Sequence, residues 1–325
     1  MTQSILALAD LATPMAIRVA ATLGLAEHEG GTAAELAAET GTLPSALACL
    51  LDHLVTAGVF AFDPESGRYH PTELGEQLRS DDAKRLLDAH TAGGRAELAF
   101  TDLLGTITTG AAAYEHRYGR DFWADIDAEP RLRRSFDAQM NWRFQVQAPQ
   151  IAERFDWSRF PRIVDVGGGD GLVLAEILRV HPAVRGAALD LAPSAAAAAE
   201  RFATAGLTGR AEAVPGSFFD PLPAGADAYV LSDILHDWDD DHARRILARC
   251  REAAGADGTV VVIEPLRHGT STAINLFMLM CFGGRERTAA ELTELAAGCG
   301  LLLRATTPVS DGRTALEFGT APEPA

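Results

Sequence analysis

The 325-residue sequence contains a single lysine, Lys84, and four cysteines. Cys49, Cys250, Cys281 and Cys299 form no C-x-x-C pair, and no His/Cys cluster has zinc spacing. Neither a disulfide framework nor a metal site is therefore expected, and the thiols read as small buried hydrophobes in a reducing compartment. Positive charge is scarce too: 28 basic against 45 acidic side chains leave a net charge of −17. Such a surface repels phosphate backbones and argues against a nucleic-acid partner. Apolar runs are broken by charge or glycine before 18 residues, so no membrane span is expected. The N-terminus lacks a basic start, and Asp10 and Arg18 interrupt what would be the apolar core of a signal peptide. The cytoplasm is the expected location.

What is present is an ordinary packed composition, 47% hydrophobic and 22% charged, in a chain long enough for two domains. Ile5, Leu8, Leu11, Met15, Val19 and Leu23 recur at helical steps. Thr32 and Glu35 form a capping-box pattern that opens a second helix, and Leu47, Leu50, Leu51 and Leu54 share one face of a third, closed by Gly58. VFAFDPESGRYHPT then alternates across a turn at Pro64–Gly67, as a β-hairpin does. Three helices followed by a hairpin have the order of a winged-helix module. Residues 82–155 read as mostly helical, with loops near Gly93-Gly94, Gly110 and Gly119. From Pro161 strand-like and helical runs alternate: RIVDV, RGAALDL, AEAV, DAYVLSDIL, GTVVVIEP, LLLRATTPV and TALEFGT are the strands. That alternation predicts an α/β domain with a parallel, Rossmann-like sheet flanked by helices.

RIVDV runs directly into Gly167-Gly168-Gly169-Asp170-Gly171 and then a helix. Glycines there allow a ligand to approach the backbone, although a tight turn without ligand uses the same residues. The spacing is G-x-G-x-G, tighter than the dinucleotide form, and no P-loop lysine follows. The next strand ends in Asp190, placed to accept hydrogen bonds from ribose hydroxyls. An adenosine-containing ligand fits both signals without demanding a pyrophosphate.

In LSDILHDWDDDHARRIL, Asp239, Asp240 and Asp241 crowd a helix start, where carboxylates cap free N–H groups. His236 falls just past a strand's carboxyl end, where open α/β sheets bind ligands, and an imidazole can take a proton from a hydroxyl. Trp238 is either packing or a wall for a base.

DVGGGDG, the strand ending in LDL, GSFFDPLP, ILHDWDD, VVVIEP and FGGRERT occur here in the order of the plant-caffeate-type O-methyltransferases, a family this chain resembles over nearly its whole length. Bacterial relatives that methylate aromatic antibiotic precursors share the pattern. The resemblance implies a winged-helix-like dimerisation domain at residues 1–93 and a seven-stranded methyltransferase domain at 94–325. The latter would comprise a helical substrate-pocket linker at 94–155 and the Rossmann-like core at 156–325. It implies S-adenosylmethionine as cofactor, no metal, a homodimer, and O-methylation of a phenolic or polyketide-derived metabolite. Gly167 and Gly169 would hold the methionine part and Asp190 the ribose. Ser217, Phe218 and Ser232 would meet the adenine side, with Trp238 against the ring. His236 would be the base, oriented by Glu264 and Glu286. Three positions depart from the pattern. Ser217 replaces the usual Asp, Ser232 a frequent Lys or Arg, and Asn275 a common carboxylate; the segment between Pro265 and Asn275 is shortened.

Phe122, Trp123, Met140, Trp142, Asn275, Phe277 and Cys281 are the candidate lining of a flat apolar acceptor site. Two other functions share parts of this pattern. A DNA-binding regulator is disfavoured because residues 1–90 carry five basic and thirteen acidic side chains, and the candidate recognition helix has no Lys or Arg. A family member that binds the cofactor without methylating, or one that methylates nitrogen, would keep most of the same motifs.

Overall fold

The computed structural model describes residues 4–267 and 272–320. Within it the chain forms two compact units, one comprising residues up to Ala99 with Trp123–Gln139, the other Phe100–Phe122 with Met140 onward.

In the first unit Thr32 caps the helix Ala33–Thr40, its hydroxyl accepting from the Glu35 N–H while Glu35 Oε2 accepts from the Thr32 N–H at 2.9 Å. Pro44 opens the helix Pro44–Thr56, whose Leu47, Leu51 and Leu54 pack with Leu25, Leu36 and Phe60. The hairpin β1 (Phe60–Asp63) and β2 (Arg68–Pro71) follows, turning at residues 64–67.

The N-terminal segment departs from the expected single helix. Helices Ile5–Leu8 and Ala12–Thr22 are separate, and Asp10 accepts from the N–H groups of Ala12 and Thr13 at the break. Small residues face the core (Ala16, Ala20, Ala21), whereas Leu6 and Leu11 are 81% and 65% exposed. Ile5–Thr22 has the length and mean hydropathy, 1.5, of a membrane-spanning stretch, although it is broken in the middle. Its apolar stripe points outward. Gly93 and Gly94 also differ from expectation. They lie inside the helix Ala92–Leu98, where a Cβ on Gly94 would come within 2.0 Å of the Asp88 carbonyl oxygen. Close approach, not a chain break, explains them. Gly110 and Gly119 do end helices, both in the left-handed region.

The second unit contains a seven-stranded sheet in the order β5-β4-β3-β6-β7-β9-β8. Its members are β3 (Arg162–Val166), β4 (Arg185–Asp190), β5 (Ala211–Pro215), β6 (Ala228–Ser232), β7 (Thr259–Glu264), β8 (Leu301–Ser310) and β9 (Arg313–Thr320). β3 to β7 are parallel, and β9 runs antiparallel to both β7 and β8. Central strands are buried along almost their whole length, which is why they read as unbroken apolar runs. Alternate residues serve opposite faces. Ile163, Val230, Val261 and Ile263 meet Ile151, Leu174 and Leu178 on one side. Val164, Tyr229, Leu231, Val260 and Val262 meet Ile246, Leu247 and Leu292 on the other. Each fully buried aliphatic side chain contributes ~1.5–3 kcal/mol, so the two faces make the sheet a rigid base for the loops at its edge. The strand order reverses between β3 and β6, the place where open parallel sheets hold ligands beyond their carboxyl ends.

Not all thiols are buried. Cys250 and Cys281 are, Cys299 is half-buried, and Cys49 lies on the exposed face of its helix. An apolar side chain at an outward helix position costs little, so burial does not follow from residue type alone.

Candidate active site

Asp165, Asp233 and His236 lie on or just beyond the two strands that meet at that reversal. β3 and β6 are neighbours, Asp165 opposite Val230, so the loop Gly167–Gly171 and the turn after Ser232 emerge side by side. β4 brings Asp190 to the same edge, and β7 brings Glu264.

Asp190 organises the glycine loop: its Oδ2 accepts from the Gly169 N–H at 2.8 Å and its Oδ1 from the Leu191 N–H at 2.7 Å. Gly169 has a φ of 58°, and a Cβ there would meet nothing within 4 Å, so the loop leaves room for a ligand against its backbone. Beneath the loop Asp165 is buried, with Oδ2 unpartnered. Burial, then the charge of Asp190, lifts its carboxyl to about 7. On the opposite side Phe218, Phe219 and Trp238 meet edge-to-face, at 5.8 Å for Phe218–Trp238 and 4.9 Å for Phe219–Trp238. Ser217 Oγ accepts from the Phe219 N–H at 3.2 Å, which spends the short side chain on its own turn. Ser232 Oγ is buried without a partner. An open glycine loop, an acidic strand end, an aromatic cluster and an orphaned hydroxyl fit an adenosine-bearing ligand.

The base candidate is held from both sides. His236 Nδ1 lies 2.5 Å from Glu264 Oε2, while Glu264 Oε1 accepts from the N–H groups of Ile234 (3.1 Å) and Leu235 (2.7 Å). Its Nε2 lies 3.4 Å from Asp237 Oδ1. Burial alone would lower the imidazole pKa. Glu264, then Asp237 and Asp233, reverse this and raise it to about 9. Asp237 itself is pushed by burial to about 7, against the pull of His236.

Asp233 stands in the left-handed region at φ 54°, alone among the non-glycine described residues. Arg313 of β9 holds it bidentately, and Arg143 Nη2 lies 3.3 Å away. Burial would raise its pKa, but the two guanidinium groups, Arg313 first, keep it at about 2. Asp233, His236 and Glu264 bring potential ligand atoms within 4.8 Å of one another. Because Arg313 occupies both Asp233 oxygens, the group is an ion-pair network in form.

Asp233, Asp237, Arg143 and Arg313 are site residues that sequence reasoning missed. Asp237 is adjacent to the histidine and could have been read. The others come from distant segments. Glu286 is buried, and Asn275, eleven residues earlier, accepts its N–H on Oδ1 at 2.9 Å; this contact gives Asn275 a role in shaping the turn. Among the acceptor-site candidates, Phe122 is buried against Tyr114 and Phe282, and Phe277 lies between Phe100 and Phe282. Cys281 is buried, with a thiol pushed up by burial and then by Asp237. Met140 and Trp142 are half-buried. Trp123 belongs to the first unit, where its ring meets Phe136 edge-on at 5.5 Å. Part of the shortened segment after Pro265, residues 268–271, lies outside the described residues.

Comparison with known proteins shows the family. Residues 100–302 match the model of the O-methyltransferase domain, and residues 6–81 that of the O-methyltransferase dimerisation domain. A 2,7-dihydroxy-5-methyl-1-naphthoate 7-O-methyltransferase of Streptomyces carzinostaticus is 50% identical over 94% of this chain and 94% of its own. An aclacinomycin 10-hydroxylase, RdmB of Streptomyces purpurascens, is 40% identical over 96% of this chain and 86% of its own. The crystal structure of NcsB1, an O-methyltransferase from neocarzinostatin biosynthesis in complex with S-adenosylmethionine and 2-hydroxy-5-methyl naphthoic acid, superposes with a TM-score of 0.92. It is 48% identical and covers 98% of this chain and 100% of that one. This chain belongs to the O-methyltransferase family in which a dimerisation domain precedes the methyltransferase domain.

Proposed function

We propose that the protein transfers the methyl group of S-adenosylmethionine to a hydroxyl of a small phenolic or polyketide-derived metabolite, with His236 as general base. The carrying observation is the His236 Nδ1–Glu264 Oε2 contact at 2.5 Å, at the sheet edge shared with the glycine loop. When bound, the cofactor supplies a sulfonium-borne methyl group and leaves as S-adenosylhomocysteine. Gly167, Gly169 and Asp190 would hold its methionine and ribose parts, and Phe218, Ser217, Ser232 and Trp238 its adenine side.

Glu264 fixes the tautomer: with a proton on Nδ1 directed at the carboxylate, Nε2 is the lone pair that receives the acceptor's proton. A pKa of about 9 brings the imidazole close to a phenol's ~10, so the transfer is nearly balanced. The same shift leaves the imidazole of the free enzyme mostly protonated at pH 7, with only a minor fraction neutral. A cation in the adjoining subsite raises that fraction, because like charge disfavours the imidazolium. Alignment of acceptor oxygen with the methyl carbon contributes at least as much as the base, since effective molarities reach ~10⁵ M. Glu286 is the second carboxylate assigned to orienting the base.

Incubation with S-adenosylmethionine and a panel of hydroxylated naphthoic acids and polyketide cores should give a product heavier by one methylene and S-adenosylhomocysteine in equal amount. The 40% identity to a hydroxylase favours a second reading, in which the cofactor is kept and the methyl is not moved. Product formed without S-adenosylhomocysteine would establish that reading and refute the first.

The outward stripe of Leu6, Leu8, Leu11 and Met15, in a segment matched by the dimerisation model, is read as a homodimer face. Several exposed apolar side chains in one patch favour burial against a copy of themselves. Leu6→Asp with Leu11→Asp should halve the mass measured by light scattering; an unchanged mass refutes this assignment. Four free thiols suit a reducing compartment such as the cytoplasm.

A further inference from the structure

Arg287 is a charged side chain with almost no access to water, 1% exposed, and neither the base nor the cofactor assignments use it. Its guanidinium spends four N–H groups on one short stretch. Nη1 donates to the Leu235 carbonyl at 2.7 Å and Nη2 to the Trp238 carbonyl at 2.7 Å. Nε and Nη2 both donate to Asp240 Oδ1, at 3.0 and 2.8 Å. The two carbonyls bracket the 3-10 turn Leu235–Asp237, which carries His236. Gly284, three residues before the arginine, presses on the same turn from the same segment. A Cβ there would fall 2.2 Å from the His236 carbonyl oxygen.

We infer that Arg287 is a positioning residue for methyl transfer, its single guanidinium fixing at once the backbone that carries His236 and the backbone that carries Trp238. This rests on the reading of His236 as base and of Trp238 as the wall for adenine. The turn's own backbone bonds are long, 3.3 Å from the Asp237 N–H to the Ile234 carbonyl and from the Trp238 N–H to the Leu235 carbonyl. Arg287 adds a shorter donor to the Leu235 carbonyl and one to the Trp238 carbonyl, and a buried carbonyl without a donor costs ~1–3 kcal/mol. A planar fork satisfies two carbonyls and one carboxylate in fixed relative places; an ammonium, with its donors on one nitrogen, does not reproduce those places. Asp240 is the fork's own anchor, and its carboxyl is held down by Arg287 and Arg285 against the effect of burial. Arg285 shares Asp240 at 3.2 Å, but its other hydrogen bond goes to Glu291 and not to the turn. It is the natural control.

Arg287→Lys, Arg285→Lys and His236→Ala are to be compared in turnover, in its pH profile, and in calorimetric binding of S-adenosylhomocysteine. Arg287→Lys should lose on the order of tenfold in kcat, bind S-adenosylhomocysteine several-fold more weakly, and shift the ascending limb of its pH profile. Arg285→Lys should stay within about twofold in all three. Equal behaviour of the two lysine variants overturns the inference. Activity retained in His236→Ala overturns the base reading instead, and the binding arm still decides whether Arg287 holds Trp238. Should Arg287→Lys fail to fold, Asp240→Ala carries the test. It removes the oxygen that accepts from Nε and Nη2 while leaving both carbonyl bonds, and an unchanged pH profile and unchanged binding there overturn the inference.

Discussion

His236→Ala is expected to lower kcat by ~10²–10⁴-fold, the usual contribution of a positioned base, while S-adenosylhomocysteine binds within about threefold of its normal affinity. The separation follows from geometry. The glycine loop is tied to Asp190 and not to the histidine, so removing the imidazole leaves that half of the site standing. In the unaltered enzyme kcat/KM should climb with pH toward a limb near 9, because the free imidazole is protonated below that value. The variant should lack this limb. Retention of more than about a tenth of the turnover would remove His236 from the mechanism.

Glu264 should show two different failures according to how it is altered. Alanine leaves the Ile234 and Leu235 N–H groups and the imidazole without an acceptor, in a region closed to water. Breaking a buried pair in this way costs ~3–5 kcal/mol, on the order of 10 °C in melting temperature. Glutamine keeps an oxygen for the two N–H groups and turns an NH2 toward Nδ1. Nδ1 must then accept, the proton moves to Nε2, and the imidazole presents a donor where an acceptor is required. Glu264→Gln should therefore melt near the unaltered protein yet lose most of its turnover. The linkage has a definite sign. The imidazole pKa is raised on folding, so its pairing adds stability below about pH 6.5 and loses it as pH rises through about 9. In Glu264→Gln that alkaline decline should shrink. A glutamine variant with a third or more of the normal kcat would show that tautomer control is not what Glu264 does.

The sheet was readable because β3, β6 and β7 are buried on both faces, so their sequences are near-continuous apolar runs between glycines and charges. His236 and Glu264 were readable because each directly follows or ends such a run. What could not be read was partnership. Arg313 reaches Asp233 across 80 residues and Arg287 reaches Leu235 across 52, and no local pattern marks those pairs. The helices of residues 82–155 were blurred for another reason. Several are short, such as Ala92–Leu98 and Ala113–Tyr118, too brief for a full amphipathic period to declare itself. The outward stripe at the N-terminus shows the converse error: helical spacing of apolar residues reveals a face, but not whether that face turns inward.

Asp233 gives the order of synthesis a meaning. A ribosome that has released Glu264 has already made the glycine loop, the imidazole and its carboxylate. The residue at the root of the turn must take up a conformation costing ~1–3 kcal/mol, and of its two cations only Arg143 has been made, not the bidentate Arg313. Arg313 is in place only once β9 has joined the sheet beside β7. The nascent chain thus carries every reactive group well before it carries the lock that sets them, and competence arrives with the closing hairpin.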